Sequence, residues 1–334
     1  MKICFIGFGR RGKTLYGDLL NIEDVEVVGI CDPGASNPFP AKRYASVSMM
    51  FKEAHPDLVI DVTPPAYRFD NILLCNKFQI PVICEKPFLF TRQQINRLRK
   101  ITISVYPGYQ FWFDVGIQKA FTFFKKEDVH SVVLSQRVFL KPVGWRLQKN
   151  IAQGGALLDN GSHLVNLAIQ QFGLPKAVFS KISRETQGIE FGVDAFLFYP
   201  KFTCRIHADW YSPVGKETKI DLTTNTHDIH FTETNQGSSL WTAAVNNAAN
   251  WARREEGYYY ERKGLERDIK INAFNQSSPT ATHVMLTAFI KDAQTLSRGT
   301  KSSLAHSVFD AALSTAHVIE RLYLSDKAGR IIQV

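Results

Sequence analysis

Apolar positions along this chain come in two textures. Through the first 110 residues they bunch into short continuous runs, Lys2–Ile6, Glu26–Cys31, Leu58–Val62, Pro81–Cys84 and Ile101–Tyr106, built mainly from Val, Ile, Phe and Cys. Unbroken runs of this kind predict strands covered on both faces. The stretches between them, Arg10–Leu20, Tyr67–Lys77 and Thr91–Lys100, read as helices, with Thr91 placed to cap the last of them. Strand and helix in regular alternation predict a doubly wound parallel sheet, the Rossmann arrangement.

Beyond Tyr106-Pro107-Gly108 the texture changes. A helix over Asp114–Lys126, a strand over Val129–Phe139 and a helix over Ala156–Phe172 are followed by alternating segments at Ala177–Ser183, Val193–Tyr199, Thr203–Tyr211, Glu217–Thr224 and His227–Thr234. Alternation such as Thr203-Cys204-Arg205-Ile206-His207-Ala208 marks a sheet with one open face, as antiparallel sheets have. Helices over Thr280–Leu296 and Leu304–Leu324 close the chain. The expected organisation is therefore α/β: a Rossmann domain over 1–110, then an α+β domain over 111–334 with a large, mostly antiparallel sheet. Aromatic residues within Val193–Tyr211 would leave that open face apolar, which predicts association into a homodimer or homotetramer. Thr234–Ser278 is the least periodic part. Leu240–Glu256 reads as a helix, and the stretch is either a surface excursion or subunit contact, or a lid whose Arg and Tyr side chains hold a substrate phosphate.

Composition narrows the class. With 334 residues, 45% of them apolar and 21% charged, the chain has the profile of a soluble globular protein and no run long enough to span a bilayer. The N-terminal apolar stretch runs into Arg10 and Arg11, unlike a secretory signal. Five cysteines without a C-x-x-C pair read as buried free thiols, the pattern of a reducing cytoplasm. The net charge of +9 divides into an excess of four over residues 1–120 and five over 121–334. So even a distribution gives no basic arm, and with no nucleic-acid motif beside it, it points to small anionic ligands rather than nucleic acid.

Candidate chemistry begins with Gly7-Phe8-Gly9-Arg10-Arg11-Gly12, between the first strand and the first helix. There the first glycine permits the tight turn, the second lets a pyrophosphate approach the backbone, and the third lets helix and strand pack closely. Phosphate would rest on the free N–H groups of the helix start. Asp32 ends the second strand, where a carboxylate can accept bonds from a ribose diol. It also repels a 2′-phosphate, so NAD is expected, with NADP open because Arg10 and Arg11 lie nearby. Thr63-Pro64-Pro65 follows the third long strand and fixes a turn at the edge that borders the ligand crevice.

Glu85-Lys86-Pro87 closes a central strand at its C-terminal end, where ligands of such sheets collect. On position alone it is equally a strand running out into solvent. Asp159 and His163 stand four apart in Gly154-Gly155-Ala156-Leu157-Leu158-Asp159-Asn160-Gly161-Ser162-His163, hence on one face of a helix opened by a glycine turn. A buried structural His–Asp pair is the plain alternative. His227 and His230 are i and i+3 on a strand, on opposite faces, and no metal site is expected.

Taken in order, the glycine loop, Thr63-Pro64-Pro65, Glu85-Lys86-Pro87, the Gly154-Gly155…Asp159…His163 element and the closing Ala316…Ser325…Gly329 segment resemble the glucose–fructose oxidoreductase / inositol dehydrogenase / MocA family over nearly the full length. The resemblance implies hydride transfer between NAD(P) and the hydroxyl or carbonyl carbon of a sugar, sugar nucleotide or cyclitol. It gives His163 the role of acid–base group and Lys86 that of a cation facing the developing alkoxide. Asp159 would bind a neighbouring hydroxyl or orient the pair. Tyr109, Trp145, Arg146 and Asn160 fall in segments that would line the substrate pocket, while His207 and Asp209 share a strand face and read as solvated or structural rather than catalytic. Two positions depart from the family: Arg68 stands where a His is frequent after the proline turn, and Asn166 where an Asp is frequent after the catalytic His. Other functions the same fold implies are a non-catalytic NAD(P)-sensing regulator and an NAD-dependent glycosidase.

Overall fold

The computed structural model describes residues 1–34, 41–121, 128–185, 188–212, 215–225, 227–235, 253–263, 266–270, 280–296 and 300–334. They form two compact units. The first comprises Met1–Gln110, Asn150–Ala152 and Pro279–Leu313; the second comprises Phe111–Lys149, Gln153–Ser278 and Ser314–Val334. The cut at 110 lies where the texture of the sequence changes, but the chain after it is not all one unit, since 150–152 and 279–313 belong to the first.

In the first unit β1 (Lys2–Ile6), β2 (Glu26–Cys31), β3 (Lys42–Arg43), β4 (Leu58–Asp61), β5 (Val82–Cys84) and β6 (Val105–Pro107) make a six-stranded sheet in the order β3-β2-β1-β4-β5-β6, every pair parallel. All four residues of β4 and all three of β5 are buried. Both faces are covered, which is why their sequences are continuous apolar runs rather than alternations. Between these strands run α1 (Arg10–Leu19), α2 (Val47–Ala54), α3 (Pro65–Phe78) and α4 (Arg92–Leu98). Pro65 starts α3 with its φ already set for a helix. Thr91 caps α4 in a reciprocal box, its hydroxyl accepting from Gln94 N while the Gln94 side chain accepts from Thr91 N. The strand expected over Ile101–Tyr106 is shorter and later: Ile101 and Ile103 are buried in an unpaired connection, so their burial mimics a strand without a ladder.

The second unit holds α5 (Val115–Ala120), β7 (Val129–Arg137), α6 (Lys149–Ala152, shared with the first unit) and α7 (Ser162–Phe172). The strands β8 (Ala177–Arg184), β9 (Glu190–Phe198), β10 (Thr203–Asp209), β11 (Lys216–Thr224), β12 (His227–Asn235), β13 (Arg253–Lys263), β14 (Glu266–Lys270) and β15 (Ile332–Gln333) complete it. Its nine-stranded sheet runs β14-β13-β12-β11-β7-β10-β9-β8-β15, antiparallel except for the pair β7 and β10. Leu240–Glu256 is not a helix where it is described: 253–256 lie in β13, paired to β12, and 236–252 fall outside the described residues, as do 122–126 of the expected Asp114–Lys126 helix. Two further helices lie between β14 and β15 in sequence, α8 (Ala281–Gln294) in the first unit and α9 (Ser303–Ala328), whose residues fall to both units.

The open face of this sheet is less apolar than its sequence suggests. The Phe179 and Phe196 rings meet there at 6.4 Å, but Arg205 binds Asp194 at 2.6 Å, His207 approaches the same carboxylate at 3.3 Å, and His230 meets Asp221 at 2.6 Å. Against partial burial, the hydrogen bonds and charges of Arg205 and His207 hold the Asp194 carboxyl below its usual value. His207 therefore serves a polar cluster of the strand face with Asp194 and Arg205. No helix among the described residues is long and apolar enough to cross a membrane.

Candidate functional site

The glycine loop of the first unit is shaped from within. Gly7 takes a left-handed φ of 82°, and a Cβ there would stand 3.3 Å from Thr63 N; a Cβ at Gly12 would stand 3.3 Å from Gly7 O and from Val62 Cγ2. At Gly7 the left-handed φ disfavours any side chain, and at both positions the turn from β4 and the start of α1 leave a Cβ only a tight contact. At Gly9 nothing lies within 4 Å of an added Cβ. Gly9 is also the N-cap of α1 and supplies no side-chain cap to its first N–H groups. An open approach to uncapped helix donors is the cradle that a pyrophosphate requires, so the loop fits a dinucleotide.

Asp32 sits just past β2. Its Oδ2 accepts from Phe8 N at 2.5 Å and its Oδ1 from Gly34 N at 2.7 Å, so the carboxylate also staples the glycine loop to the end of the second strand. Arg10 is exposed at the first position of α1. Arg11 is spoken for: its Nε donates to Glu85 Oε1 at 2.6 Å. Glu85 is 6% exposed, and a Cβ on Gly108 would stand 3.1 Å from its carboxylate. Glu85 thus ties α1 to the end of β5, and Lys86, half-buried, follows it directly.

Behind this edge lies a polar network. Asp61 ends β4 fully buried; its Oδ1 accepts from Thr63 N and Oγ1, and its Oδ2 from Asn71 Nδ2. Burial pushes the Asp61 carboxyl up, opposed by those bonds and by the Arg68 charge. Arg68, 4% exposed, donates through Nη2 to Thr63 O at 2.9 Å and through Nη1 to Pro87 O. The Thr63-Pro64-Pro65 turn and the cis Lys86–Pro87 turn are therefore bridged by one guanidinium. After the proline turn this chain thus places a buried guanidinium that joins two turns. Tyr109 is 3% exposed with its ring on Phe88 at 6.2 Å, a packing position beside the same turn.

In the second unit the expected single helix is two. Leu157–Gly161 forms one π turn, and α7 continues from Ser162. Wide turns of this kind recur at functional sites. Asp159 lies in the π turn, and its Oδ2 is 3.9 Å from Arg146 Nε; the Arg146 guanidinium stacks 4.6 Å from the Trp145 ring. Asp159, Arg146 and Trp145 are thus together. His163, 7% exposed, stacks on Phe111 at 4.8 Å, and Lys216 Nζ lies 5.9 Å from the centroid of the same Phe111 ring and 3.8 Å from Glu233. Asn160 turns inward instead. It is 6% exposed, and its Oδ1 accepts from Trp210 Nε1 at 3.0 Å, so it anchors the π turn to the strand behind. Asn166 is buried too, donating to Thr315 Oγ1 at 3.0 Å and accepting from Gln170. Lys86 belongs to the first unit, and Asp159 and His163 to the second.

Sequence reasoning missed Glu190 and Tyr323. Glu190 Oε2 accepts from Gly155 N at 2.9 Å and from Tyr323 Oη at 3.0 Å, fastening the glycine turn that opens the π segment. Residues so far apart carry no local signal of this pairing. Burial raises the Glu190 carboxyl above its usual value, opposed by the bonds from Gly155 N and Tyr323 and by the Arg184 charge, while Asp326 adds to the rise. A raised carboxyl binds its proton more tightly in the folded state. Its contribution to stability is therefore lost as pH rises from the ordinary glutamate value through the folded one. Glu190→Gln keeps an acceptor for both donors and does not titrate. It is expected to hold or gain stability relative to the native chain at pH 8, with the advantage shrinking toward pH 4, read from thermal unfolding at both pH values. A loss that is larger at pH 8 than at pH 4 would contradict this account.

Among the described residues no three of His, Cys, Asp or Glu gather as a metal would require. The five cysteines are free, and burial pushes the Cys4 thiol up to about 12.

Comparison with known proteins adds the family. Residues 1–104 match the model of an oxidoreductase family with an NAD-binding Rossmann fold, and residues 127–233 match a GFO/IDH/MocA C-terminal domain. A scyllo-inositol 2-dehydrogenase (NADP(+)) of Bacillus subtilis is 24% identical over 204 residues, covering 57% of either chain. A D-glucoside 3-dehydrogenase of Escherichia coli is 24% identical over 221 residues, covering 58% of this chain and 61% of that one. The match thus spans about three-fifths of these relatives' length. Among solved structures, GenD2 from gentamicin A biosynthesis in complex with NAD superposes with a TM-score of 0.76 at 17% identity, covering 100% of this chain and 96% of that one. A levoglucosan dehydrogenase in complex with NADH and L-sorbose gives 0.77 at 14% identity, covering 100% and 98%. At such identities the likeness is one of fold.

Proposed function

The chain belongs to the GFO/IDH/MocA oxidoreductase family, and from that premise we propose that it is an NAD(P)-dependent dehydrogenase or reductase acting on a hydroxyl or carbonyl carbon of a sugar, sugar nucleotide or cyclitol. The observation that carries this reading is the ordering of one edge of the first unit. A glycine cradle open at Gly9, stapled by Asp32, is joined through Arg11 and Glu85 to the strand end that bears Lys86. The names of the inositol, glucoside and levoglucosan dehydrogenases support the substrate class.

A bound nicotinamide would supply the hydride acceptor or donor. The chain's own residues would manage the oxygen of the reacting carbon. His163 takes the hydroxyl proton as that carbon is oxidised, a task suited to a base of near-neutral ordinary pKa. Lys86 stabilises the negative charge that builds on the oxygen, or polarises a carbonyl in the opposite direction. Asp159, held by Arg146 beside Trp145, orients a neighbouring hydroxyl. Trp145 offers an aromatic face of the kind that sugar rings stack on.

The direct test is a panel of cyclitols, free sugars, glucosides and nucleotide sugars offered to the purified protein with each nicotinamide nucleotide, followed by absorbance of the reduced form. Turnover with one of these classes is expected. Protein that binds the nucleotide yet turns over no member of the panel in either direction would remove the reading.

A further inference from the structure

The cations of the first unit around the glycine loop and the outer strand are not equivalent. Arg11 is bound to Glu85 at 2.6 Å, and Lys42 is bound to Glu53 at 2.7 Å. Arg43, the second residue of β3, behaves differently. Strand β3 is the outermost strand beside β2, with Arg43 in register with Ile30. Its side chain is exposed and reaches along the neighbouring strand to donate from Nη2 to the Asp32 carbonyl oxygen at 3.1 Å. The guanidinium is therefore placed at the acidic residue that would face the adenosine ribose, with only a peptide oxygen as the acceptor of that bond.

Asp32 is changed by its own partners. A bare carboxylate at this point would reject a 2′-phosphate by charge. Here one oxygen accepts from Phe8 N and the other from Gly34 N, so both are turned toward backbone donors that offset the charge. An arginine beside the second-strand acid is the feature that accommodates a 2′-phosphate in dinucleotide folds, because its planar fork suits phosphate oxygens. The sequence of residues directly after Asp32 conceals this, since the arginine comes from the next strand.

We propose that Arg43 is a specificity-determining residue that admits the 2′-phosphate, so that this protein binds NADP at least as tightly as NAD despite Asp32. The proposal rests on the reading of the glycine loop as a dinucleotide site, and it extends that reading to the choice of nucleotide. Arg43 would leave its bond to the Asp32 carbonyl, or share it, and donate to the phosphate oxygens. NAD, carrying a hydroxyl there, would gain little from the guanidinium.

The test is equilibrium binding of NAD and NADP to the full chain by calorimetry, for the native protein, Arg43→Ala and Arg43→Lys, at low and high salt. Arg43→Ala is expected to weaken NADP by about 10–100-fold, the range for a lost hydrogen bond to a charged group, while NAD changes by no more than about twofold. Arg43→Lys should retain part of the NADP affinity, and the native preference for NADP should shrink as salt rises. Native NADP binding weaker than NAD by more than the error of the titration would overturn the proposal, as would an equal loss of both nucleotides in Arg43→Ala. Failure of the native chain to bind either nucleotide would instead strike at the dinucleotide reading itself, and so the two failures are told apart.

Discussion

Lys86→Ala is expected to lower kcat by roughly 10²–10³-fold, the range for removal of one group that stabilises a developing oxyanion. His163→Ala is expected to lower it by roughly 10²–10⁴-fold, the range for a positioned acid–base group. In both cases kcat and kcat/KM should fall together, because the interactions strengthen only as the substrate oxygen gains charge. The two variants differ in what else they disturb. Lys86 is half-buried at a strand end, and its loss leaves the Arg11–Glu85 and Arg68 links in place. His163 is buried against Phe111, so its removal also opens space in the second unit, and unfolding must be measured beside turnover. A chemical role shows itself in the pH–rate profile, which should flatten near neutrality in His163→Ala and keep its shape in Lys86→Ala. Nucleotide titration establishes that each variant still binds cofactor. Near-native turnover in both variants, with cofactor bound, would show that these residues do not carry the reaction.

The parts of the fold that could be read from sequence are those whose physics is local. Continuous apolar runs marked the strands Lys2–Ile6, Glu26–Cys31 and Leu58–Asp61, and the hydroxyl of Thr91 marked its helix start. Strand Lys42–Arg43 was not legible, since it is two residues long, exposed, and defined only by its pairing with β2. Helix Val47–Ala54 is short and has only Met50 and Phe51 buried, too little for a periodic signal. The same division runs through the site. Glycine loop, proline turn, Lys86 and the Asp159–His163 spacing are motifs within a few residues. Their supports come from far away: Glu190 and Tyr323 at Gly155, Arg68 between two turns, Trp210 at Asn160. Asn160 shows the consequence. Lying next to Asp159, it reads as a pocket residue, yet the π turn directs it to an indole on the opposite side.

Trp210→Ala is expected to be the most damaging single change to stability in the second unit. Trp210 is 2% exposed and heads the largest fully buried side chains. Truncating a buried Trp costs about 3–5 kcal/mol through lost transfer energy and the cavity left behind. The change also strips Asn160 Oδ1 of its donor inside the protein, which costs about 1–3 kcal/mol when a buried acceptor goes unsatisfied. The two losses share one site and overlap, so about 4–6 kcal/mol is expected, a large part of the roughly 5–15 kcal/mol that holds a typical fold together. Trp210→Phe separates the contributions: it keeps most of the volume and loses the N–H, and should cost about 1–3 kcal/mol. Because Asn160 is the neighbour of Asp159, Trp210→Phe should also lower turnover more than its effect on stability alone explains. Urea unfolding followed by circular dichroism gives the energies, and turnover of the folded variant gives the rest. If Trp210→Ala costs less than about 1 kcal/mol, below any range for a buried aromatic, the indole is not the anchor of the π turn, and the rigidity of Asp159 must come from Glu190 and the Gly155 turn alone.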